Sequence, residues 1–359
     1  MITIEDIALE VGCSVNTVSR ALNNKPDVSP VTRQRVLAAA DRLGYVPNTL
    51  AKSLVTRSSG SIGVIVPSLV NPLYARIVAA VEAEARQRQQ SVLLGQSGND
   101  SATEKAVADY LYSRRVDGIL LIPCSDAPDH LDSLQKPSLP VVQLLYESTG
   151  VGQFPYVGCL VKQAVAATVD HLVAQGKTNL VVVESTPNSV TSRLYRQGVA
   201  AALAALTAQP RIRKISAAAE VFDGYAVTRR LLAADATVDG IILGNDLVAP
   251  GVIAALKELG RDCPRDVAVV GFGNLEFADY LPSPLTSVEV YPDSIGREAV
   301  RLLWELIAAP AAAELAAPPA KITRTELVVR ASSSLSRALA QKATAEDNQL
   351  LLLAPLSEV

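Results

Sequence analysis

The stretch GCSVNTVSRALNNKPDVSP, residues 12–30, is small, polar or basic at nearly every position, whereas most of the chain is apolar and rich in alanine. Gly12 marks a turn, and Ser14 can cap a helix that runs from residue 15 to about residue 22. The run Asn-Asn-Lys-Pro at 23–26 then ends that helix. The stretch therefore predicts a short helix held between two turns.

Further short helices are predicted on both sides of this stretch. Thr3 can cap residues 4–10, with Asp6 completing a capping-box variant. Ser29 and Pro30 can open a third helix, because proline is favoured at the first helical position. Apolar residues recur along that helix at helical spacing; they are Val31, Val36, Leu37, Ala40 and Leu43.

The spacing of Ala8, Gly12 and Val18 is that of a helix-turn-helix, with a small residue at the helix contact, a glycine in the turn and an apolar anchor under the second helix. The second helix then exposes Val15, Asn16, Thr17, Ser19 and Arg20. Asparagine and arginine can read base edges with paired hydrogen bonds, and hydroxyls bind phosphates. The motif alone leaves open a small helical cap with ordinary polar faces.

Composition limits the alternatives. The chain has 359 residues, 49% of them hydrophobic, which supports more than one domain with sizeable cores. The net charge of −3 combines a head, residues 1–60, that carries +2 and a remainder that carries −5. There is no signal-peptide pattern and no run long enough to span a membrane, so we expect a cytoplasmic protein. Four well-separated cysteines favour reduced thiols over disulfides or a metal site.

Beyond residue 60, β-rich runs alternate with helical patterns, which predicts an α/β fold with parallel sheets covered by helices. The predicted strands are 61–67, 91–96, 117–123, 140–145, 179–184, 239–244 and 267–272. Helices are predicted at 73–89, 163–175 and 194–206. VDGILLIP at 116–123 recurs as VDGIILGN at 238–245, which indicates two similar lobes.

Several motifs in order resemble the lactose-repressor (LacI/GalR) family of bacterial transcription regulators: TIEDIA, CSVNTVSRALN, VSPVTRQRV, YVPNTLAKSL and GNDLVAPGVIAAL. The resemblance extends to about residue 330. It implies a helix-turn-helix headpiece at 1–47, a hinge helix or linker at 48–58, and a two-lobed, periplasmic-binding-protein-like core at 59–331 for effector binding and dimerisation. The chain should cross between the lobes near 159–163, 288–292 and 320–324, and the tail at 332–359 has no assigned role.

By this resemblance the headpiece and hinge carry the DNA-binding residues. Val15, Asn16 and Arg20 occupy base-reading positions. Positions that contact DNA more generally, mostly through phosphates, are Thr3, Ser14, Thr17, Ser19 and Asn23. Asn48 begins the hinge helix, and Leu54 sits where a leucine wedges into the minor groove and kinks the DNA. Ordinary helix packing is the alternative for Leu54.

Ligands of open α/β sheets bind outside the carboxyl ends of the strands, here the loops after residues 67, 123, 184, 244 and 272. The resemblance places effector-binding positions in or near these loops; they are Leu73, Tyr74, Tyr146, Arg193, Arg196, Asn245, Asp246 and Asn274. Asn71-Pro72 can instead cap a helix whose Tyr74 packs in the core, and Asp246 can instead cap the next helix. Which of Arg193 and Arg196 takes the effector role is also open.

The sequence departs from the family where sugars are usually bound. Leu145, Leu160 and Gly273 replace polar positions, whereas Arg193 and Arg196 remain near the expected cleft. Because arginine pairs carboxylates and phosphates through two hydrogen bonds, these departures favour an anionic effector such as a sugar acid or a sugar phosphate.

The resulting hypothesis is a sequence-specific repressor that binds a near-palindromic operator as a homodimer and is controlled by a small effector. Control by a partner protein and a solute-binding protein are the alternatives. No P-loop, GxSxG motif or metal-ligand spacing is present, and GFGNLE lacks the third glycine of a dinucleotide fingerprint. We therefore expect neither an enzyme nor a cofactor or metal. Irregular leucine spacing in the tail favours a dimer over a tetramer.

Overall fold

The computed structural model describes residues 2–46, 58–125, 127–135, 138–146, 154–184, 189–207, 209–216, 221–309 and 319–336. The predicted hinge residues Asn48 and Leu54, and the tail beyond residue 336, lie outside these ranges. The chain divides into two compact units, residues 1–59 and 60–359, which we call the headpiece and the core.

The headpiece consists of α1 (Ile4–Val11), α2 (Val15–Leu22) and α3 (Pro30–Leu43). Its predicted caps are confirmed: the side chains of Thr3, Ser14 and Ser29 each accept a hydrogen bond from the backbone three residues on. The expected contacts of the helix-turn-helix are also present. Ala8 and Val18 are buried, and the small core around them contains Ile7, Val11, Ala21, Val28, Val36, Ala39 and Ala40.

Fewer apolar residues of α3 are buried than the sequence pattern predicted. Val36 and Ala40 are in the core, but Val31 is 71% exposed and Leu37 is 46% exposed. Ala39 takes the remaining core position. Since residues 36, 39 and 40 form one i, i+3, i+4 set, the helix packs on the face that this set defines.

The core contains two six-stranded sheets, as predicted for a two-lobed α/β protein. The first lobe is built on β1 (Ser61–Val66), β2 (Ser91–Gln96), β3 (Ile119–Leu121), β4 (Val141–Leu145), β5 (Tyr156–Gly158) and β11 (Ala320–Ile322). Its strand order is β11-β5-β4-β3-β1-β2, and every pair is parallel. Its helices are α4 (Pro72–Gln87), α5 (Ser101–Ser113), α6 (Pro128–Leu134) and α11 (Pro292–Ala308).

The second lobe repeats this plan. Its strands are β6 (Asn179–Glu184), β7 (Arg211–Ser216), β8 (Gly240–Leu243), β9 (Ala268–Phe272), β10 (Thr286–Glu289) and β12 (Glu326–Val328). The order is β12-β10-β9-β8-β6-β7, parallel except for the antiparallel pair of β10 and β12. Its helices are α7 (Val161–Ala174), α8 (Val190–Ala205), α9 (Val221–Ala234) and α10 (Ala249–Glu258).

The chain crosses between the lobes three times, between β5 and α7, between β10 and α11, and between β11 and β12. These are the three regions that the family pattern indicated. The two halves of the repeated motif, at 116–123 and 238–245, contain β3 and β8, which lie at equivalent places in the two sheets. The repeat therefore marks the same structural unit in each lobe.

Residues just after the predicted end of the core still belong to the second lobe. Ser332 and Ser333 are buried, and the hydroxyl of Ser332 accepts a 2.8 Å hydrogen bond from the backbone of Thr286. The Ser333 hydroxyl lies 2.8 Å from Nε2 of His171 on α7. The packed lobe thus continues past residue 331, and where a separate tail begins stays a prediction.

Candidate nucleic-acid interface and ligand cavity

The second helix of the headpiece presents polar groups on the side opposite its buried residues. Val18 and Ala21 are buried, whereas Val15, Asn16 and Arg20 are exposed. Because residues four apart share a face, Asn16 and Arg20 lie next to each other on that surface. The structure thus brings together the side chains with base-reading chemistry on one exposed helix face.

Local contacts hold some of these side chains. Nε of Arg20 donates to the Asp27 carboxylate over 2.6 Å, and Nδ2 of Asn23 donates to the Ser19 carbonyl over 2.8 Å. The Ser14 hydroxyl lies 2.8 Å from that of Thr17. Thr3 is exposed at the start of α1, where its side chain is bound to Asp6. Arg20 must therefore leave or share Asp27 in order to contact a base.

A candidate ligand site in the core is a cavity of about 260 Å³. Residues at all five predicted strand ends line it, namely Pro67, Pro123, Glu184, Gly244 and Phe272. Since these residues end or follow strands of both sheets, the cavity lies between the lobes at the carboxyl ends of the strands. This is the position expected for ligands of open α/β sheets.

The wall is mixed in character. Apolar surface comes from residues such as Leu73, Leu247 and Phe272, and polar groups come mainly from hydroxyls and amides. The polar lining residues are Ser68, Asn71, Tyr74, Asn99, Tyr146, Glu184, Ser189, Thr191, Ser192, Tyr195 and Asn245. Within the described residues, no arginine, lysine or histidine lines this cavity.

Side chains from the two lobes meet across it. The hydroxyl of Tyr146, which follows β4, interacts with Tyr74 on α4 and with Thr191 on α8 of the other lobe. Burial raises the pKa of both tyrosine hydroxyls, so they stay protonated at neutral pH and can donate as well as accept. Tyr195 packs on Phe272 at 5.9 Å between ring centroids.

Glu184 is the one acidic side chain in the described lining. It is 5% exposed and accepts a 2.7 Å hydrogen bond from the hydroxyl of Ser192. Nζ of Lys214 lies 3.7 Å from its carboxylate. The charged acceptor in the cavity is thus held in place by a neighbouring hydroxyl.

Four of the predicted effector residues line the cavity, namely Leu73, Tyr74, Tyr146 and Asn245. Asn71 both lines the cavity and caps α4, because its side-chain oxygen accepts from the backbone of Leu73 over 3.0 Å. Asn245 repeats this arrangement in the second lobe by accepting from Leu247 over 2.8 Å. Capping and cavity lining are therefore compatible at both asparagines.

Asp246 is placed behind the wall. It is fully buried and accepts hydrogen bonds of 2.9 Å from the backbone of Leu275 and from the hydroxyl of Ser287. Burial raises its pKa to about 6, against these hydrogen bonds, which favour the carboxylate. Asn245, one residue earlier, takes the capping role that was open for Asp246.

Arg193, Arg196 and Asn274 also lie outside the described lining. Arg196 is exposed and Arg193 is half-buried, with contacts to Ser192 and Gln197 along α8. Nδ2 of Asn274 donates to Glu289 over 2.8 Å. Their role in effector binding remains a prediction.

Gly273 has a backbone φ of +117°, a conformation that side chains with a Cβ rarely adopt. The polar side chain that the family pattern implies at this position would therefore require a different backbone. The departure from the family sequence at this position is a change of local conformation as well as of chemistry.

Sequence reasoning missed Glu184, Tyr195, Asn71 and Thr191 as cavity residues. Glu184 carried a signal, because it ends a buried strand whose following loop was already singled out. Tyr195 also carried a signal, because it lies between Arg193 and Arg196, which the resemblance placed near the cleft. Thr191 had no signal, since only the fold brings it to Tyr146.

In the part of the chain that the structure describes, no helix is both long and apolar enough to cross a membrane.

Comparisons with known proteins agree with this architecture. Residues 3–48 match the bacterial regulatory proteins of the lacI family, and residues 169–333 match the periplasmic binding protein-like domain. Catabolite control protein A of Priestia megaterium is 31% identical over 84% of this chain and 91% of its own length. The transcriptional repressor PurR of Mannheimia succiniciproducens is 30% identical over 86% of this chain and 92% of its own.

Solved structures give the same result. The lac repressor dimer bound to operator and the anti-inducer ONPF superimposes with a TM-score of 0.83 at 26% identity, covering 92% of this chain and 99% of that one. A complex of the transcriptional regulator CelR with cellobiose gives a TM-score of 0.63 at 28% identity, covering 92% and 100%.

A helix-turn-helix headpiece followed by a two-lobed binding core defines a class of DNA-binding transcriptional regulators rather than enzymes. This chain belongs to the lacI family of bacterial regulatory proteins.

Proposed function

We propose that this regulator is a repressor that binds a near-palindromic operator as a homodimer and changes its operator affinity when a small molecule occupies the cavity between the lobes. The observation that carries the proposal is the cavity itself, lined by loops from both sheets. A ligand that contacts both lobes binds one relative orientation of the lobes better than others. It can therefore shift the operator-binding equilibrium by that difference in affinity.

For the headpiece, we propose that Asn16 and Arg20 read base edges and that Val15 makes apolar contact in the major groove. Their exposure on one helix face and their hydrogen-bonding chemistry support this assignment. Hydroxyls at the start of the helix, from Ser14 and Thr17, would hold phosphates. A two-fold dimer presents two such helices, so the operator should have two inverted half-sites.

For the effector, the charge of the cavity favours a neutral, polyhydroxylated molecule over an anion. Hydroxyls, amides and one carboxylate can exchange hydrogen bonds with sugar hydroxyls, and the aromatic rings of Tyr195 and Phe272 offer apolar surface to a sugar ring. An anion would face Glu184, whose carboxylate already has Lys214 as a partner at 3.7 Å, and the described lining residues provide no further cation. Desolvating that pair of like charges would disfavour binding.

The anionic hypothesis depends on Arg193 or Arg196 turning toward the ligand. Both lie on α8, whose residues Thr191, Ser192 and Tyr195 line the cavity. It remains the second candidate because the long side chain of an arginine on this helix can rotate so that its guanidinium reaches the cavity.

Calorimetric titration of the full-length protein with neutral mono- and disaccharides, sugar acids, sugar phosphates and purine bases tests both candidates. We expect binding of a neutral sugar that Glu184→Gln weakens about tenfold, the effect of losing a charge-assisted hydrogen bond. Arg193→Ala and Arg196→Ala should leave that affinity unchanged. Binding confined to sugar acids or phosphates and abolished by the double arginine variant would replace the neutral candidate with the anionic one.

The operator is found by selecting bound sequences from random DNA, and the ligand identified by calorimetry is then added to the complex. A change in operator affinity on addition supports effector control. If no ligand in the panel binds and operator affinity changes only with a cellular protein, regulation by a partner protein replaces the small effector. Because the target is chromosomal DNA, we place the regulator in the cytoplasm.

A further inference from the structure

Three side chains of the first lobe that take no part in the hydrogen bonds described for the cavity lie close to one another. Glu104 lies on α5, Cys124 follows β3, and His130 lies on α6. Among the described residues they form a group whose carboxylate oxygen, sulfur and imidazole nitrogen all lie within 4.8 Å of one another. The three residues come from different elements, so only the fold of this lobe brings them together.

The donor atoms of the three side chains are arranged around a point between them. Nε2 of His130 lies 2.8 Å from Oε1 of Glu104 and 4.0 Å from Sγ of Cys124. In a nucleophile–base–carboxylate relay the imidazole uses one nitrogen for each partner. Here the same nitrogen faces both partners, which is how ligands surround a point between them.

The spacing is close to that of a tetrahedral zinc site. Metal–ligand lengths of about 2.0–2.3 Å at tetrahedral angles place neighbouring donor atoms about 3.3–3.6 Å apart. The contact between Nε2 and Oε1 must therefore open by about 0.5 Å, and that between Nε2 and Sγ must close by a similar amount. Side-chain rotations supply shifts of this size without moving the backbone.

The surroundings suit a bound cation. Glu104 is fully buried and Cys124 is 8% exposed, so the donor atoms of these two side chains have few water contacts. The second oxygen of Glu104 accepts from the backbone of Cys124 over 2.9 Å, which fixes the carboxylate against the cysteine.

We propose that Glu104, Cys124 and His130 form a binding site for a divalent transition metal of the zinc class. Thiolate, imidazole and carboxylate together are a donor set that Zn²⁺ takes, and three protein ligands leave one tetrahedral position for water. On binding, the thiol proton and the proton shared between Nε2 of His130 and Oε1 of Glu104 both pass to solvent, which leaves the imidazole with a proton on Nδ1. Cys124 also lines the cavity, so metal occupancy changes one part of the effector wall.

Titration of untagged full-length protein with Zn²⁺, and with Co²⁺ as a spectroscopic substitute, tests the site. We expect one equivalent of metal to bind and the cobalt form to show the charge-transfer absorption of a cobalt–thiolate bond. Cys124→Ser should remove that absorption, and His130→Gln should weaken Zn²⁺ binding at least tenfold.

The chain provides matched controls. His171 is the other of its two histidines and is bonded to Ser333 in the second lobe, so His171→Gln should leave metal binding unchanged. Cys263→Ser, also in the second lobe, should keep the cobalt–thiolate absorption. The proposal is overturned if the wild type binds no Zn²⁺, or if Cys124→Ser and His130→Gln bind it as tightly as the wild type does. Circular dichroism of each variant shows that lost binding does not reflect lost folding.

Discussion

The headpiece and the core hold their polar side chains in opposite ways. In the headpiece, Thr3, Ser14 and Ser29 are exposed and bind backbone groups three residues away. In the core, Asp246 is fully buried and binds Leu275 and Ser287, which are 29 and 41 residues away. The same kinds of hydrogen bond therefore depend on local sequence in one unit and on tertiary structure in the other.

This difference determines how each unit should respond to mutation. Loss of a headpiece cap should destabilise only the helix that it caps, since water can bind the backbone N–H left without its partner. A buried core group has no such replacement, because its partners are desolvated along with it. We therefore expect the largest effects in the core and the smallest at the headpiece caps.

The largest expected effect is on core packing at Gly251, where α10 crosses α9. A Cβ at this position would overlap the Val221 carbonyl oxygen and lie 2.6 Å from the Tyr225 backbone nitrogen. Because backbone atoms cannot rotate away, Gly251→Ala should lower the free energy of unfolding of the core by about 3 kcal/mol. This change is measured by urea unfolding followed by fluorescence. The probe is Trp304, the single tryptophan of the chain, which lies half-buried on α11.

Gly260→Ala is the control for that substitution. Gly260 has a φ of +66° but nothing within 4 Å of its Cβ position, so only backbone strain of about 1 kcal/mol is expected. Equal losses in the two variants would mean that the close helix crossing at Gly251 does not limit the core.

The next effect concerns the pH dependence that buried Asp246 gives to the core. Its pKa of about 6 lies above the ordinary value of 3.8, so between these values the folded state binds more protons than the unfolded state. The contribution of Asp246 to stability is therefore greatest below about pH 4 and falls as the pH rises through 6. The total change is about 3 kcal/mol, from two pKa units at about 1.4 kcal/mol each.

Asp246→Asn removes this titration. The difference in unfolding free energy between the variant and the wild type should shift in favour of the variant as the pH rises from 4 to 7. Trp304 fluorescence in urea at each pH gives the two profiles. Parallel profiles would show that Asp246 does not titrate in this range.

How much of the molecule could be predicted from sequence follows the same division. The three headpiece helices and their caps were predicted nearly to the residue, because each depends on contacts three or four positions apart. The strands β2 and β6 were predicted with their bounds, since apolar runs identify them: β6 is buried along its whole length, and the edge strand β2 contains the run Val-Leu-Leu at 92–94. β7 has the same edge position and the same partial burial as β2, but it was missed because three basic residues in its sequence, RIRKIS, interrupt any apolar run.

The candidate sites show the same limit. The five strand ends that line the cavity could be predicted from the alternation of strands and helices, but the other side chains of its wall could not. Asp246 and Asn245 are adjacent in sequence, yet one is buried behind the wall and the other lines it. Cys124 and His130 are only six residues apart, but the third member of their cluster, Glu104, lies 20 residues before Cys124 on the helix that precedes β3.

A smaller effect is expected for base reading by Arg20. Arg20→Ala should weaken operator binding about ten- to hundredfold and affect binding to random DNA much less, because a bidentate contact to a base is lost. Arg42→Ala, which removes an exposed headpiece arginine paired with Glu10 on another helix, is the control and should affect both kinds of DNA equally. Electrophoretic mobility shifts at constant salt measure the affinities. Equal losses on operator and random DNA in Arg20→Ala would remove it from the base-reading set.

The smallest expected effect separates the two roles assigned to Ser14. As a cap, its hydroxyl accepts from the Thr17 backbone over 3.1 Å, and Ser14→Ala should cost about 1 kcal/mol of local stability, which is about fivefold in the amide exchange of α2. Aspartate caps a helix as well as serine does, so Ser14→Asp should restore slow exchange, yet its charge should repel a phosphate and weaken DNA binding. Ser29 caps α3 in the same way, with no predicted DNA contact, so Ser29→Asp should leave both exchange and operator affinity near wild type. Hydrogen exchange by mass spectrometry on the intact protein, together with mobility shifts, compares the four proteins. If Ser14→Asp binds DNA as well as the wild type does, Ser14 acts as a cap alone, and the phosphate contact must be sought at Thr17 or Ser19.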